Sequence, residues 1–140
     1  MNHYDIIIIG AGAGGGTVAY ALAPTGKRIL IIERGGYLPK EDDNWNPEAI
    51  FQGRKYQVEE QWLDHQNNSF RPQAFYNVGG NTKVYGAALQ RMREQDFGEV
   101  QHHAGVSPAW ELTYQDMESY YTRAESIFKV HGTKGEDITE

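Results

Sequence analysis

The sequence predicts an α/β protein that opens with a βαβ unit and carries only the start of a parallel sheet. Three observations predict this. The apolar run in "YDIIIIGAGAGGG", Tyr4 to Gly16, ends in a cluster of glycines. A second apolar run, Ile29 to Ile32, follows within about thirty residues and ends at the carboxylate of Glu33. No further apolar strand followed by a helix is recognisable after Glu33.

The elements follow in order. Tyr4 to Ile9 reads as a strand buried on both faces, being short, β-branched and not alternating. Gly10 to Gly16 forms the turn, and the small apolar stretch Thr17 to Ala23 suits a helix packed closely on a sheet. Pro24-Thr25-Gly26 stops that helix, and Ile29 to Ile32 is the second strand. The connection is expected to be right-handed. Residues 37–78 do not continue the alternation. Asn46-Pro47-Glu48 has the form of a helix start, with Asn as cap. Tyr56 to Leu63 and Gln73 to Val78 are expected as strands of a hairpin turning at His65 to Ser69. Gly79-Gly80 breaks that pattern, and Thr82 to Arg91 is expected to hold a short helix and then a strand. Leu112 to Val130 is a helix by periodicity, with Thr113 and Asp116 as a variant capping box and Gly132 as the stop. The tail, Thr133 to Glu140, is expected to fray.

Composition removes several classes of function. The 140 residues carry a net charge of −6, which disfavours a nucleic-acid binder. There is no cysteine, so disulfides, thiolate metal sites and a cysteine nucleophile are excluded. The uncharged stretch Ile6 to Thr25 is too rich in glycine for a membrane span. Met1 to Asp5 lacks the basic region of a signal peptide, and a cytoplasmic location is expected.

Gly10-x-Gly12-x-x-Gly15 follows a predicted strand and opens a predicted helix, and Glu33 lies eighteen residues past Gly15. This is the Rossmann dinucleotide fingerprint in its required context. Gly10 permits the tight turn. Gly12 lets a pyrophosphate approach the backbone. Gly15 lets helix and strand pack closely. The helix N-terminus presents unpaired amides and a partial positive charge to the phosphates. Glu33 is placed to accept hydrogen bonds from an adenosine ribose. A 2′-phosphate would be repelled there, although Arg34 softens that objection to NADP. The spacing does not separate FAD from NAD.

A second glycine pair stands in "VGGNTKVYGAAL", where Gly79 and Gly80 precede Asn81 and Thr82. Small side chains and free amides at a helix start let backbone approach a phosphate or a flavin edge. With these residues the sequence resembles the glucose–methanol–choline (GMC) flavin oxidoreductases. "DIIIIGAGAGGG" and "LIIERGG" are similar to their ADP-binding motif, and "VGGNTKVYGAAL" to their second flavin-contacting segment. Trp110, Thr113-Tyr114, Tyr120-Tyr121 and Ala124-Glu125 match a stretch that follows in that family. The resemblance implies FAD, with Gly10, Gly12 and Gly15 on the pyrophosphate, Glu33 on the ribose, and Gly79, Gly80, Asn81 and Thr82 on the flavin side. It implies the N-terminal portion of an FAD-binding domain, with an ADP-binding unit at 1–36, an irregular insertion at 37–78, the second flavin segment at 79–97 and a helix at 112–131. It also implies hydride transfer from the CH–OH group of a small alcohol or sugar-like substrate. One departure is Tyr85 before Gly86, where many members have Asn before Gly. That leaves the branch, and hence the alcohol, open.

No catalytic residue is assigned. The family's base is a histidine in a later segment that nothing here matches, so this chain is expected to be an inactive N-terminal part. His102-His103 is expected in a loop without metal-ligand spacing, and no metal site is assigned. His131 is expected to stabilise a helix end. Asp42-Asp43 and Glu59-Glu60 are expected as solvated charge pairs, and Ser107 and Ser126 lack a nucleophile elbow. A sheet of two strands has an open edge, so the chain alone is expected to be marginally stable and aggregation-prone. A cooperative thermal transition above about 50 °C would count against that. Other readings of the residues are an NAD(P)-dependent fragment and a non-catalytic dinucleotide-binding module or truncated product. Electron acceptor, flavin attachment and oligomeric state stay open.

Overall fold

The computed structural model describes residues 3–84 and 88–133. The chain forms two compact units, residues 1–86 and 87–140.

In the first unit, strand β1 (Ile6–Ile9) and strand β2 (Ile29–Ile32) pair in parallel, Ile6 with Ile29 through Ile9 with Ile32. Helix α1 (Ala13–Leu22) connects them and packs against both strands. α1 starts inside the glycine cluster, four residues before the expected Thr17, because Gly16 N already donates to Gly12 O at 2.9 Å. Ala23–Thr25 tightens into a 3-10 turn, and Gly26 at φ +70° ends it, as expected of Pro24-Thr25-Gly26. Asp5 lies just outside β1 and accepts Arg28 N at 2.8 Å, which anchors the start of the pairing.

The expectation of a strand buried on both faces is corrected. Only Ile8 of β1 is buried, while Ile7 and Ile9 are 58% and 86% exposed. The physical reason is the size of the sheet: two strands and one helix cover one face only. Other buried apolar side chains of this unit are Ile50, Val58 and Phe75.

The hairpin expected after residue 55 exists but is short. β3 (Trp62–Leu63) pairs antiparallel with β4 (Ser69–Phe70), and a single bridge joins Gln57 and Phe75. Ser69 belongs to a strand rather than the turn, and Gln73 to Val78 is no strand beyond its bridge. Arg54 and Tyr56 have φ of +56° and +66°, which no strand accommodates. Arg71 takes up backbone acceptors in place of a ladder, donating to Val58 O and Gln57 O. Asp64 shapes the turn by accepting the amides of Gln66 and Asn68. Asn46 caps as expected, its Oδ1 accepting Glu48 N and Ala49 N, but the five residues Glu48–Gln52 form a π-type turn. The expected charge pairs are not merely solvated: Asp43 and Glu41 both bind Lys55, and Glu60 binds Arg34.

The second expected helix starts at Gly80, and runs only to Lys83 as a 3-10 turn. Tyr85 and Gly86 lie outside the described residues, as do residues 134–140 of the expected tail. Residues 88–91 form no strand.

In the second unit, β5 (Val100–His102) and β6 (Gly105–Ser107) make a hairpin, so His102 ends a strand and His103 sits in its turn. Helix α2 (Tyr114–Phe128) begins at the expected capping box: Thr113 N donates to Asp116 Oδ2 at 2.8 Å, and Thr113 Oγ1 accepts Asp116 N at 3.2 Å. The helix stops at Lys129, with φ +54°, and not at Gly132. Val130 N already closes onto Glu125 O, so His131 lies beyond the helix end. Phe97, Trp110, Tyr114 and Tyr121 form a chain of ring contacts 5.9–6.4 Å apart. Arg91 forks onto Glu125 at 2.6 and 2.7 Å and donates to Tyr114 and Thr122.

Candidate functional site: a glycine cradle at the sheet end

β1 ends in Gly10, whose φ of +92° is open to glycine at little cost. Gly10 N donates to Ile32 O at 2.7 Å, which extends the parallel pairing into the loop. The chain then turns into α1. Gly15 lies so close to the loop that an added Cβ would meet Gly10 O at 1.9 Å and Ile8 Cγ2 at 3.1 Å. That geometry gives Gly15 a close-packing role between helix and strand.

Gly12 differs. A Cβ built there meets nothing nearer than Gly79 O, at 4.0 Å. Protein packing therefore does not demand glycine at this position. The gap between Gly12 and Gly79 O forms a cradle that a side chain would fill. Gly12 also caps α1 without any side-chain acceptor, and no acidic residue stands in the first turn. The partial positive charge at the first amides of the helix is thus uncompensated by a side chain. An anionic, flat-sided group such as a pyrophosphate fits this donor set.

Glu33 sits at the end of β2 beside the loop. Its Oε2 accepts Ala11 N and its Oε1 accepts Arg34 N, each at 2.7 Å. The amide of Ala11 first, then that of Arg34, hold the carboxyl below the usual glutamate range against a smaller opposing effect of burial. An ionised carboxylate has about four lone-pair sites, so capacity remains for ribose hydroxyls.

The same unit brings the second glycine pair to the first, as the 4.0 Å approach of Gly79 O to the Gly12 cradle shows. Gly79 and Gly80 have φ of +94° and +54°. Asn81 Oδ1 accepts Phe75 N at 3.0 Å, and Thr82 donates both its amide and its hydroxyl to Gly79 O. Asn81 and Thr82 are thus seen holding the shape of the turn. Sequence reasoning missed two residues that fix this arrangement. Gly35 packs so tightly on Tyr76 that a Cβ would meet its carbonyl oxygen at 1.5 Å, and Val78 N donates to Gly36 O at 2.9 Å. Asn77 is buried and donates from Nδ2 to Gly80 O. The paired glycines after Arg34 were the available signal for the first; nothing local marks the second.

Among the described residues, no cluster of three or more metal-ligating side chains occurs, and no helix is long and apolar enough to cross a membrane.

A family model described as an NAD(P)-binding Rossmann-like domain matches residues 8–69. The chain is 25% identical to a 2-methyl-1,2-propanediol dehydrogenase from Mycolicibacterium austroafricanum, over 94% of this chain and 25% of that protein. It is 31% identical to a 6'''-hydroxyparomomycin C oxidase from Streptomyces lividus, over 92% of this chain and 23% of that one. It is 32% identical to an oxygen-dependent choline dehydrogenase from Paraburkholderia xenovorans, over 89% of this chain and 23% of that one. The chain therefore spans about a quarter of the length of the relatives it matches.

Proposed function

We infer from the homology of this chain to the glucose–methanol–choline oxidoreductases that it holds the ADP half of FAD and contributes to the flavin side of the same site. The observation that carries this reading is Gly12 at the start of α1, where protein packing does not demand glycine and the first helix amides have no side-chain acceptor. The residues fit the group. Gly10, Gly12 and Gly15 shape the loop around the pyrophosphate, and the amides at the start of α1 bind it. Glu33 orients the adenosine ribose through its hydroxyls. Gly79, Gly80, Asn81 and Thr82 carry backbone close to the flavin.

The activity proposed for the protein is oxidation of a CH–OH group of a small alcohol or sugar-like compound. The relatives support this class, being a 2-methyl-1,2-propanediol dehydrogenase, a 6'''-hydroxyparomomycin C oxidase and an oxygen-dependent choline dehydrogenase. When bound, the flavin supplies hydride acceptance. This chain's own share is to bind and orient it. No histidine of this chain is proposed as the proton acceptor, and the 140 residues alone are expected to turn over no alcohol.

A second reading is favoured by the description of the matching family model: a pyridine dinucleotide in the same cradle. Titrating the chain with FAD and, separately, with NAD separates the two. FAD binding with quenching of flavin fluorescence, and NAD binding at least about tenfold weaker, supports the flavin reading. NAD binding in preference to FAD refutes it.

A further inference from the structure

A free guanidinium directly after Glu33 would be well placed to take a phosphate on the 2′ oxygen of a bound adenosine. Arg34 is used otherwise. Its Nη2 donates to Glu60 Oε2 at 2.6 Å, and its guanidinium carbon lies 3.8 Å from the centre of the Tyr76 ring. Glu60 also accepts Trp62 Nε1 at 2.8 Å and the Tyr76 hydroxyl. Trp62 first, then Tyr76, keep the Glu60 carboxyl below the usual glutamate range, so it is ionised at neutral pH. The Tyr76 backbone carbonyl also packs closely against Gly35, the residue after Arg34. The guanidinium is thus paired with a carboxylate at one edge and stacked on a ring at one face, by groups that the chain brings from elsewhere in the first unit.

We propose that Glu60 is a specificity-determining positioning residue, which with Tyr76 holds Arg34 away from the ribose so that the site takes adenine nucleotides with a free 2′-hydroxyl and rejects their 2′-phosphorylated counterparts. This rests on the dinucleotide reading of the site. Glu33 offers a hydroxyl an acceptor. A 2′-phosphate at the same place meets carboxylate charge without the guanidinium that would offset it.

The test uses the full chain and a matched pair of compounds, ADP-ribose and 2′-phospho-ADP-ribose, titrated by calorimetry at low salt. The parent is expected to prefer ADP-ribose by about tenfold or more, the scale of one charged hydrogen-bonding contact. Glu60→Gln releases Arg34, and the preference is expected to shrink several-fold. Adding Arg34→Met to Glu60→Gln is expected to restore it. Tyr76→Leu removes the stacking face by a separate route and is expected to shrink the preference as well, so a folding failure of one variant leaves the other decisive. A preference unchanged in whichever of these variants folds overturns the proposal. So does a shrunken preference that persists without Arg34. A parent that binds neither compound sinks the dinucleotide reading itself, and the role of Glu60 with it.

Discussion

Gly12 and Gly15 stand three residues apart, one capping α1 and the other in its first turn, and the structure predicts opposite consequences for the same substitution. In Gly15→Ala the new methyl would lie 1.9 Å from Gly10 O and 3.0 Å from Gly10 C. An ordinary carbon-to-oxygen contact is roughly 3.3 Å or more, so α1 must retreat from the loop by more than an ångström. Both sides of the clash are backbone, so no rotamer change relieves it. Overpacking costs about 1–3 kcal/mol where side chains can adjust, and here the upper end, about 3 kcal/mol, is expected. That is a large fraction of the ~5–15 kcal/mol that holds a typical domain together. For a chain of this size it corresponds to a fall of roughly 10 °C in Tm. In Gly12→Ala the methyl is 4.0 Å from its nearest neighbour. Stability is expected to change by less than about 1 kcal/mol, while FAD affinity falls at least about tenfold because the methyl occupies the cradle. Thermal melts by circular dichroism and an FAD titration measure the two quantities on the same samples. A Gly15→Ala variant melting within about 2 °C of the parent would refute the close helix–strand contact. Unchanged FAD affinity in Gly12→Ala would refute the cradle.

Two other outcomes are expected. Glu33 has a folded-state pKa depressed by the amides of Ala11 and Arg34, so its stabilisation is present above the ordinary glutamate value and is lost as pH falls through the depressed one. Acid titration of the parent against Glu33→Gln should therefore show the parent losing more stability across that acidic window, and parallel curves there would count against the amide contacts. Thr113→Ala removes the oxygen that accepts Asp116 N and is expected to cost about 1 kcal/mol, read as faster amide exchange in the first turn of α2.

Much of the first unit was legible locally. The βαβ unit, the bounds of β2 and the loop geometry at Gly10 and Gly15 all follow from residues close together in sequence. What was not legible depends on distant partners. Gly35 needs Tyr76 beside it before its lack of a side chain has meaning. Glu60 read as a solvated charge because Arg34, Tyr76 and Trp62 converge on it only in the folded chain. The hairpin strands are shorter than expected because Tyr56 takes left-handed backbone and Arg71 captures Gln57 O and Val58 O, and nothing local shows either. Lys129 replaced Gly132 as the helix stop at the expense of a left-handed lysine, a choice that glycine preference argues against.

The parallel pairing has a kinetic consequence. Ile6 meets Ile29 and Ile9 meets Ile32, each pair 23 residues apart. The β3–β4 and β5–β6 hairpins pair residues at most eight apart. Hairpins of that span close on the order of microseconds, whereas β1 and β2 must first meet the larger entropy of closing the whole intervening segment. The glycine loop lies inside that segment and is tied to β2 through Ile32 O and Glu33. The cradle is therefore assembled in the late, non-local step and does not exist before it. A nucleotide that binds there should slow unfolding and leave the rate of folding almost untouched.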